Sequence, residues 1–291
     1  MLSALAAGRV SRAPGLLSAS AHLPLITAAA VRPDGPLPLQ LATATTLLWA
    51  GLELYDDLTD GDLSGSLKDR PDYEIVFTAF GLACLLPTAL VTELQISPEP
   101  MAAMQRHISG HLLRAFAGQQ QDLRHVDGDS ISTAQVADAV RGKNGEPVAL
   151  FAALGALAAG ASPAVVDAYE RFGRALGEVA QYQSDFWELF HDEDARDLRQ
   201  GNRTYLVVGA LERAEARERA ELLDLLRRVR TDPQVVSTLR EILRQARYVA
   251  PWREAVLTAA TAGLNALESV APAEPAASLL RRMILERTPA C

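Results

Sequence analysis

The sequence is poor in aromatic residues, which make up 5% of its 291 positions, and it contains two cysteines, Cys84 and Cys291. Two cysteines are too few for a disulfide framework or a cysteine-based metal cluster, and a reducing, cytoplasmic setting fits this composition best. Alternating runs of β-branched and aromatic residues are nearly absent, and no Asn-Gly or Asp-Gly turn sits between such runs. These absences argue against a β-sheet protein.

The chain also lacks an excess of positive charge. Its formal net charge is −8, so we expect no nucleic-acid partner, because nucleic-acid binding requires a basic face. We identify no apolar stretch that reaches the roughly 18 or more residues needed to span a bilayer without polar interruption, and we expect no stable membrane anchor. The acid-free start of the chain weakly resembles an organelle transit peptide, but we interpret residues 1–17 as a loosely ordered terminus.

The apolar content that is present suits helices. Hydrophobic residues make up 49% of the chain, and alanine and leucine, which favour helices, dominate them. Helical periodicity covers nearly everything after residue 38, with short proline- and glycine-rich breaks. We predict helices over 39–57, 71–94, 101–123 and 163–189. A further helix is predicted to begin at a capping box in 132–135 and to be interrupted at 142–147. A charged loop is predicted at 191–203, followed by four or five shorter helices. No long linker or fixed repeat divides the chain, so the prediction is all-α, a single large helical bundle over residues 1–291.

Three carboxylates stand at the C-terminal end of the 39–57 helix: Asp56, Asp57 and Asp60. Their i,i+3 and i,i+4 spacings allow them to converge on one point. A helix C-terminus carries partial negative charge, which disfavours acids there unless a cation binds them. Mg²⁺ takes oxygen ligands and keeps phosphate oxygens in its shell, so it would resolve this conflict. Taken alone, the cluster is equally well explained as a solvated helix end.

A second polar stripe lies on the 163–189 helix, which is otherwise apolar. Gln181, Asp185, Glu188 and Asp192 follow one another at offsets of 4, 3 and 4, which places them along one helix face. A solvent-facing stripe is the usual explanation of such spacing. Together with the first cluster, however, the stripe predicts two groups of carboxylates at one site. We call Asp56, Asp57 and Asp60 the first acidic wall, and Asp185, Glu188 and Asp192 the second. We predict Asp185 as a catalytic residue with the first three aspartates, and Glu188 and Asp192 as further metal ligands.

Basic residues that suit phosphate accompany the acidic ones. Arg199 and Arg203 closely follow the stripe, and arginine recognises phosphate with two parallel hydrogen bonds. Lys143 lies at the glycine- and proline-rich break, where freed backbone N–H groups can face an anion. We therefore predict that Lys143, Arg199, Arg203 and Gln181 contact a diphosphate held by Mg²⁺, with three ions expected.

Five segments, in order and spacing, carry a family resemblance. They are Leu54–Tyr55–Asp56–Asp57–Leu58–Thr59–Asp60, Gly118–Gln119–Gln120–Gln121–Asp122–Leu123, Lys143, Ala180–Gln181–Tyr182–Gln183–Ser184–Asp185–Phe186–Trp187–Glu188, and Asp197–Leu198–Arg199–Gln200–Gly201–Asn202–Arg203–Thr204. The chain resembles the trans-isoprenyl (polyprenyl) diphosphate synthases, class I isoprenoid enzymes, over residues 18–288. The resemblance implies an isoprenoid-synthase fold, which is a helical bundle with a central apolar cavity. It also implies that the two acidic motifs face each other at the mouth of this cavity, and that the substrate is a prenyl diphosphate.

Two departures from the family pattern bear on the reaction. The Gly-Gly-Lys-x-x-Arg segment that helps to bind isopentenyl diphosphate is replaced by Ala19–Ser20–Ala21–His22–Leu23, and an Arg-Arg-Gly segment by Ser64–Gly65–Ser66–Leu67–Lys68. The basic residues that bind the second, non-ionising diphosphate, which we call its basic cradle, are therefore missing. We accordingly expect a Mg²⁺-dependent class I terpene synthase that ionises a long allylic prenyl diphosphate, C15–C25, and cyclises the cation.

Two alternatives stay open. A prenyltransferase or polyprenyl diphosphate synthase would condense the allylic diphosphate with isopentenyl diphosphate or another acceptor, and Lys68, Arg70 and Arg32 would then supply the missing cradle. A non-catalytic family member is the other alternative, which Asn202 in place of the family's lysine favours. The resemblance also implies that the chain can form a homodimer.

Apolar residues on the metal-bearing and neighbouring helices are predicted to line the cavity, where aromatic faces stabilise cations. The predicted cavity residues are Leu48, Gly51, Leu52, Phe77, Phe80, Phe151, Tyr182 and Phe186. Ordinary core packing is the competing explanation for each of them. His107 and His111 have the i,i+4 spacing of a transition-metal pair, but since the sequence shows no third ligand we predict an ordinary histidine pair.

Overall fold

The computed structural model describes residues 16–289, and over this range it contains helices, turns and irregular segments but no strand, which confirms the all-α prediction. The predicted loose terminus up to residue 15, and Cys291, lie outside the described residues. The α-helices are α1 (Leu16–Val31), α2 (Leu39–Thr59), α3 (Asp72–Phe80), α4 (Leu86–Thr92), α5 (Pro98–His125), α6 (Thr133–Val140), α7 (Glu146–Ala158), α8 (Pro163–His191), α9 (Arg196–Gln200), α10 (Tyr205–Arg213), α11 (Ala216–Arg228), α12 (Val235–Leu243), α13 (Ala246–Glu268) and α14 (Ala276–Leu285).

Helix starts follow local sequence signals. The predicted capping box is present: the Ser132 hydroxyl accepts from the Gln135 backbone N–H, and the Gln135 side chain accepts from the Ser132 N–H at 2.9 Å. Pro163 lies in the first turn of α8 after Ser162, where its missing N–H costs no helical hydrogen bond. The helices predicted over 39–57, 101–123 and 163–189 are confirmed as α2, α5 and α8, each slightly longer than predicted.

The helical backbone continues through the interruption predicted at residues 142–147. A π-helical turn, Arg141–Gly145, joins α6 to α7, and a second one, Gly81–Leu85, joins α3 to α4. A proline follows each turn, Pro147 or Pro87. Proline cannot donate a backbone hydrogen bond and its ring collides with the carbonyl four residues earlier, and a wider π turn accommodates both effects. The predicted interruption is therefore a π turn, and it carries Lys143.

The longest helix, α8, lies at the centre of the molecule and packs against α7, α13 and the π turn of residues 141–145. α1 packs on α7 and α2, which places it over the same core. Tyr169, Phe172 and Leu176 of α8 are at most 1% exposed. Because both neighbours and the core fix α8, its C-terminal turns have a defined position, and these turns carry Asp185 and Glu188.

The charged segment 191–203 is only partly the loop that we predict. It contains the short helix α9, which begins after Ala195 (φ 46°) and ends at Gly201 (φ 87°), both in the left-handed region. Glycine adopts this conformation without the steric penalty of a Cβ. Five helices, α10 to α14, follow it, which agrees with the predicted four or five.

One segment bears on the expectation that no apolar stretch of 18 or more residues runs without polar interruption. Asp72–Thr92, which comprises α3, a π turn and α4, has the length and apolar composition for a span. Thr78, Pro87 and Thr88 interrupt its apolar residues, so the sequence shows no uninterrupted apolar run of this length. A core helix of a globular protein passes the same test of length and composition.

Candidate active site

The first acidic cluster lies where α2 ends. Asp56 and Asp57 occupy its last turn, and Asp60 follows it, with its N–H donating to the Asp56 carbonyl at 2.9 Å. All three are partly buried, because Leu48 and Leu54 on the same helix pack into the interior. Burial, followed by the charge of Asp56, raises the pKa of Asp60 to about 7. Carboxyl groups crowded in this way repel one another, and a cation would relieve the repulsion.

Lys143 faces this cluster from the π turn between α6 and α7. Its Nζ donates to Asp56 Oδ1 at 2.8 Å and to Asp122 Oδ2 at 3.0 Å. Burial alone would lower the pKa of Lys143, but Asp56 and then Asp122 raise it well above its usual value. Gln119, one turn before Asp122 on α5, also donates to Asp56 Oδ1, at 2.8 Å. Lys143 is therefore a charged group that joins α5 to the end of α2.

Two glycines allow α5 to approach the π turn so closely. A Cβ on Gly118 would lie 2.3 Å from Lys143 N and 2.6 Å from Gly142 Cα. A Cβ on Gly142 would in turn lie 2.7 Å from Gly118 Cα. These distances are far below van der Waals contact, so the two backbones meet only because neither residue has a side chain. The contact sets the position of Lys143 relative to Asp122.

The second acidic wall lies at the C-terminal end of α8, joined by a residue from α9. Gln181 Nε2 donates to Asp185 Oδ1 at 2.6 Å. Burial, followed by the charge of Asp197, raises the pKa of Asp185 well above its usual range. The same two causes, with a hydrogen bond to Asp197, raise the pKa of Glu188 to about 9. Asp197 therefore belongs to this wall.

The two walls share one electrostatic environment. Asp197 raises the pKa of Asp60 as well as that of Asp185, and Lys143 lowers both. The structure thus brings together the two acidic motifs and the lysine that the sequence predicts at one site. The acidic cluster lies on α2 and α8, and the lysine lies on the π turn.

α9 ties the loop after α2 to the second wall. Arg196 Nη1 lies 2.7 Å from Asp62 Oδ2, and its Nε lies 3.9 Å from Asp192 Oδ2. Gln200 Nε2 donates to the Asp60 carbonyl and to Asp62 Oδ1, both at 3.0 Å. The carboxylate of Asp192, a predicted metal ligand, lies beside Arg196. These contacts fix the separation between the ends of the two walls.

Of the two arginines that are predicted to contact diphosphate, Arg199 and Arg203, only Arg199 has a donor available for it. Arg199 is half-buried, and its Nε has no hydrogen-bond partner among the described residues. Arg203 is buried, and its Nε and Nη1 donate to the carbonyls of Gly128 and Gly201 at 3.1 and 3.0 Å. These bonds contradict the predicted contact of Arg203 with diphosphate, because its guanidinium joins two backbone segments instead. Lys143 and Arg199 remain as candidates.

Six polar residues that contact the acidic walls or Lys143 are absent from our predicted set: Asp62, Gln119, Asp122, Arg196, Asp197 and Gln200. Four of them, Gln119, Asp122, Asp197 and Gln200, stand inside segments that carry the family resemblance, so the sequence holds a signal for them. The other two, Asp62 and Arg196, contact each other across 134 residues of the chain. No local spacing reveals such contacts.

A pocket opens beside Asp56 and Lys143. The residues that line it are Trp49, Leu52, Glu53, Tyr55, Asp56, Ala115, Phe116, Gln119, Lys143 and Asn144. Its wall contains two buried polar atoms without hydrogen-bond partners among the described residues, Trp49 Nε1 and Asn144 Oδ1. The pocket therefore combines apolar rings with charged groups of the first wall.

Of the predicted cavity residues, Leu52 lines this pocket and the others lie elsewhere. Leu48 and Phe151 are fully buried in the core, and Gly51 lies against the backbone of residues 79 and 83. Tyr182 packs on Tyr205, and Phe186 stacks on Trp252 with ring centroids 4.2 Å apart.

The predictions for Phe77 and Phe80 are wrong, since they are 71% and 45% exposed. Ile75 and Ala79, which are fully buried, occupy the inner face of α3. The two phenylalanines consequently face outward, where they cannot line a cavity.

The donor groups of the two walls fit Mg²⁺. They offer carboxylate oxygens, which this hard cation prefers. The raised pKa values of Asp60, Asp185 and Glu188 show that these carboxyl groups are crowded and partly desolvated without a sufficient cationic partner. The residues present therefore match what a divalent cation requires.

The chain is similar to known proteins in sequence. The family model described as polyprenyl synthetase matches residues 75–243. A short chain isoprenyl diphosphate synthase of Methanothermobacter thermautotrophicus is 28% identical over 115 residues, which are 38% of this chain and 35% of that protein. The match thus spans about a third of the length of this curated relative.

Solved structures share its fold. A polyprenyl synthetase from Streptomyces coelicolor A3(2) is 19% identical, with a TM-score of 0.80, and the match covers 92% of this chain and 83% of that one. A geranylgeranyl pyrophosphate synthase from Corynebacterium glutamicum, complexed with isoprenyl diphosphate and magnesium, is 19% identical, with a TM-score of 0.75 and coverage of 91% and 84%. The predicted isoprenoid-synthase fold is confirmed.

Proposed function

The chain belongs to the polyprenyl synthetase family, and on that basis we propose that it is a Mg²⁺-dependent prenyltransferase. It ionises an allylic prenyl diphosphate and transfers the prenyl group to an acceptor. The observation that carries the proposal is the convergence of Asp56, Lys143 and Asp122 beside a pocket. The charges of Lys143 and Asp122 also shift the pKa of Asp185 in the second wall. The three relatives are named as a short chain isoprenyl diphosphate synthase, a polyprenyl synthetase and a geranylgeranyl pyrophosphate synthase. Their names support transfer over the cyclisation that the sequence led us to expect.

The two walls divide the binding of the metal. Asp56, Asp57 and Asp60 would hold ions on the first wall, and Asp185 and Glu188 on the second. We propose three ions, with Asp192 completing the second wall from its position beside Arg196. When bound, Mg²⁺ neutralises the negative charge of the departing diphosphate.

The basic residues hold the diphosphate itself. Lys143 Nζ uses two of its three donors on Asp56 and Asp122, which leaves the third for a diphosphate oxygen. Arg199 has a buried Nε without a partner among the described residues, which a phosphate oxygen would satisfy. Donors already in place stabilise the anion as it leaves, without the cost of reorienting water.

The pocket wall protects the cation. Trp49 and Phe116 offer aromatic faces that stabilise positive charge. Leu52 and Ala115 add apolar surface, which excludes water from the cation before transfer.

Cyclisation is the second candidate, because the described residues offer no basic cradle for a second diphosphate at the expected positions. Ser20 and Leu23, which replace part of the family's basic segment, are fully buried in the core. Lys68 and Arg70 are exposed, and Arg70 pairs with Glu74 at 3.4 Å.

A product assay separates transfer from cyclisation. The purified chain is incubated with geranylgeranyl diphosphate and Mg²⁺, with or without isopentenyl diphosphate. We expect a longer prenyl diphosphate that forms only when both substrates are present. A cyclic hydrocarbon released from geranylgeranyl diphosphate alone would establish cyclisation and reject the proposed transfer.

Self-association is also proposed, through an exposed apolar stripe on α3. Tyr73, Val76, Phe77 and Phe80 follow the i, i+3, i+4, i+7 pattern of one helix face, and they are 38–71% exposed. An exposed apolar stripe of this kind is typical of an interaction surface.

We therefore expect a homodimer at micromolar concentration by light scattering. Phe77→Glu should shift it to monomer, because the substitution buries a charge in the interface. Glu93→Gln, at an exposed position after α4, is the control. A monomeric wild-type chain would reject the proposed dimer.

A further inference from the structure

A second polar cluster lies towards the opposite ends of the two helices that carry Asp122 and Asp185. His111 on α5 precedes Asp122 by eleven residues, about 16 Å along a helix axis. Glu170 on α8 precedes Asp185 by fifteen residues, about 22 Å. The cluster is therefore separate from the aspartate-rich walls, and the proposed prenyl chemistry does not use it.

Two histidines of α5 form one side of this cluster. His107 and His111 are spaced i,i+4, and their rings stack with centroids 6.0 Å apart and an interplanar angle of 21°. Histidines at this spacing on one helix face reach a single ion in zinc proteins. Spacing alone supplies two ligands, whereas a specific site requires a third.

Glu170 supplies the third donor from α8. Its Oε1 lies 2.7 Å from His107 Nδ1 and 3.1 Å from His111 Nε2. One candidate ligand atom from each of the three residues lies within 4.8 Å of the others. Bonds of about 2.0–2.2 Å in a tetrahedral zinc site separate neighbouring ligand atoms by about 3.3 Å. The two distances from Glu170 Oε1 therefore need to lengthen by well under an ångström to match such a site.

Glu146 of α7 orients the buried histidine. Its Oε2 lies 2.7 Å from His111 Nδ1, and the Nε atoms of Arg114 and Arg174 each donate to the Glu146 carboxylate at 2.7 Å. A carboxylate on one ring nitrogen keeps a proton there and leaves the other nitrogen free for a metal. The cluster therefore has both the ligands and the supporting carboxylate that are typical of protein zinc sites.

Solvent reaches the cluster from one side. The His111 side chain is 1% exposed, whereas those of Glu170 and His107 are 17% and 29% exposed. A metal ion can enter from the His107 side, and water can occupy the fourth coordination position.

We propose that His107, His111 and Glu170 bind one divalent transition-metal ion of the Zn²⁺ type. Imidazole nitrogens select such an ion over Mg²⁺, which prefers oxygen ligands. The ion joins α5 to α8, and Glu146 connects the site to α7 directly after the π turn that carries Lys143. The role of the bound ion is to fix the relative positions of α5, α7 and α8, the three helices that support the acidic walls.

The test is a metal titration of the full-length chain after dialysis against a chelator. Mg²⁺ is present in millimolar excess to occupy the aspartate-rich walls. We expect one equivalent of Co²⁺ to bind with visible absorption bands of nitrogen coordination, and one equivalent of Zn²⁺ to displace it and raise the thermal unfolding midpoint. His107→Ala and Glu170→Gln should each lower Zn²⁺ affinity by about 100-fold or more. His22→Ala, which removes an exposed histidine of α1, should leave the affinity unchanged.

Three results would overturn the proposal: no Zn²⁺ binding by the wild-type chain, the same Co²⁺ spectrum in wild type and both variants, or loss of binding in Asp56→Ala. The first would show that the cluster is a hydrogen-bonded network of histidines and carboxylates that binds no ion, the second that Co²⁺ binds elsewhere, and the third would place the ion at the first wall. Circular dichroism checks folding of each variant, and Glu170→Gln preserves the side-chain volume in case His107→Ala unfolds.

Discussion

Replacing Asp56 with alanine is expected to lower kcat/KM by about 10³-fold, which corresponds to ~4 kcal/mol of transition-state stabilisation. Asp56 Oδ1 accepts from Lys143 Nζ and from Gln119 Nε2, both at 2.8 Å. The substitution therefore removes a proposed Mg²⁺ ligand together with a contact that positions the lysine. Lys143 keeps Asp122 at 3.0 Å, so the helical content should be unchanged. Initial rates and circular dichroism measure the two effects.

Asp69→Ala is the matched control for Asp56→Ala. Asp69 is an exposed carboxylate in the loop between α2 and α3, so the control removes the same charge outside the site. We expect its kcat/KM to remain within about twofold of wild type. Wild-type activity in Asp56→Ala would remove this residue from the metal site, and equal losses in both variants would indicate a general effect of charge.

Replacing Gly118 with alanine should lower both stability and activity, although the change adds one methyl group outside the acidic walls. The new Cβ would lie 2.3 Å from Lys143 N and 2.6 Å from Gly142 Cα. Since both neighbours are backbone atoms, α5 and the π turn must separate. We expect about 1–3 kcal/mol of destabilisation. A displacement of Lys143 by about 1 Å would lower kcat by about 10²-fold.

Gly110→Ala on the same helix is the control for Gly118→Ala. A Cβ there would meet one atom, Nη1 of the flexible Arg114 side chain, at 3.4 Å. Alanine restricts the unfolded chain more than glycine does, so we expect stability to rise by about 0.5–1 kcal/mol. Denaturant unfolding and steady-state rates compare the two variants. If both glycine substitutions behaved alike, the close backbone contact would not be what positions Lys143.

Local patterns in the sequence predicted much of the fold and part of the site. Helical periodicity located α2, α5 and α8, since each has an apolar face and clear breaks at its ends. The i,i+3 and i,i+4 spacing of Asp56, Asp57 and Asp60 depends only on helix geometry, so their grouping was predictable. The same holds for Asp185 and Glu188, which lie one turn apart.

The errors arise where tertiary packing decides which way a side chain faces. Phe77 and Phe80 look like cavity residues, yet Ile75 and Ala79 take the inner face of α3. Arg203 looks like a phosphate ligand, yet the carbonyl of Gly128, 75 residues earlier, accepts its hydrogen bond. These partners are distant in sequence and leave no local signal.

The same limit explains the histidine pair. The i,i+4 spacing of His107 and His111 is visible in the sequence, but Glu170 comes from α8, 59 residues after His111. The prediction of an ordinary pair rested on the apparent lack of a third ligand, and the packing of α5 against α8 supplies one.

Release of inorganic diphosphate from an allylic prenyl diphosphate tests the central claim most directly. It is measured with isopentenyl diphosphate present, in Mg²⁺ and then in excess chelator, for the wild-type chain and for a variant carrying both Asp56→Ala and Asp185→Asn. If the two acidic walls hold Mg²⁺ against the substrate, release will require Mg²⁺ in the wild-type chain and be absent from the variant. Equal release by the variant, or release that persists in chelator, would contradict the account, and no release by the wild-type chain with any allylic substrate would favour a non-catalytic family member.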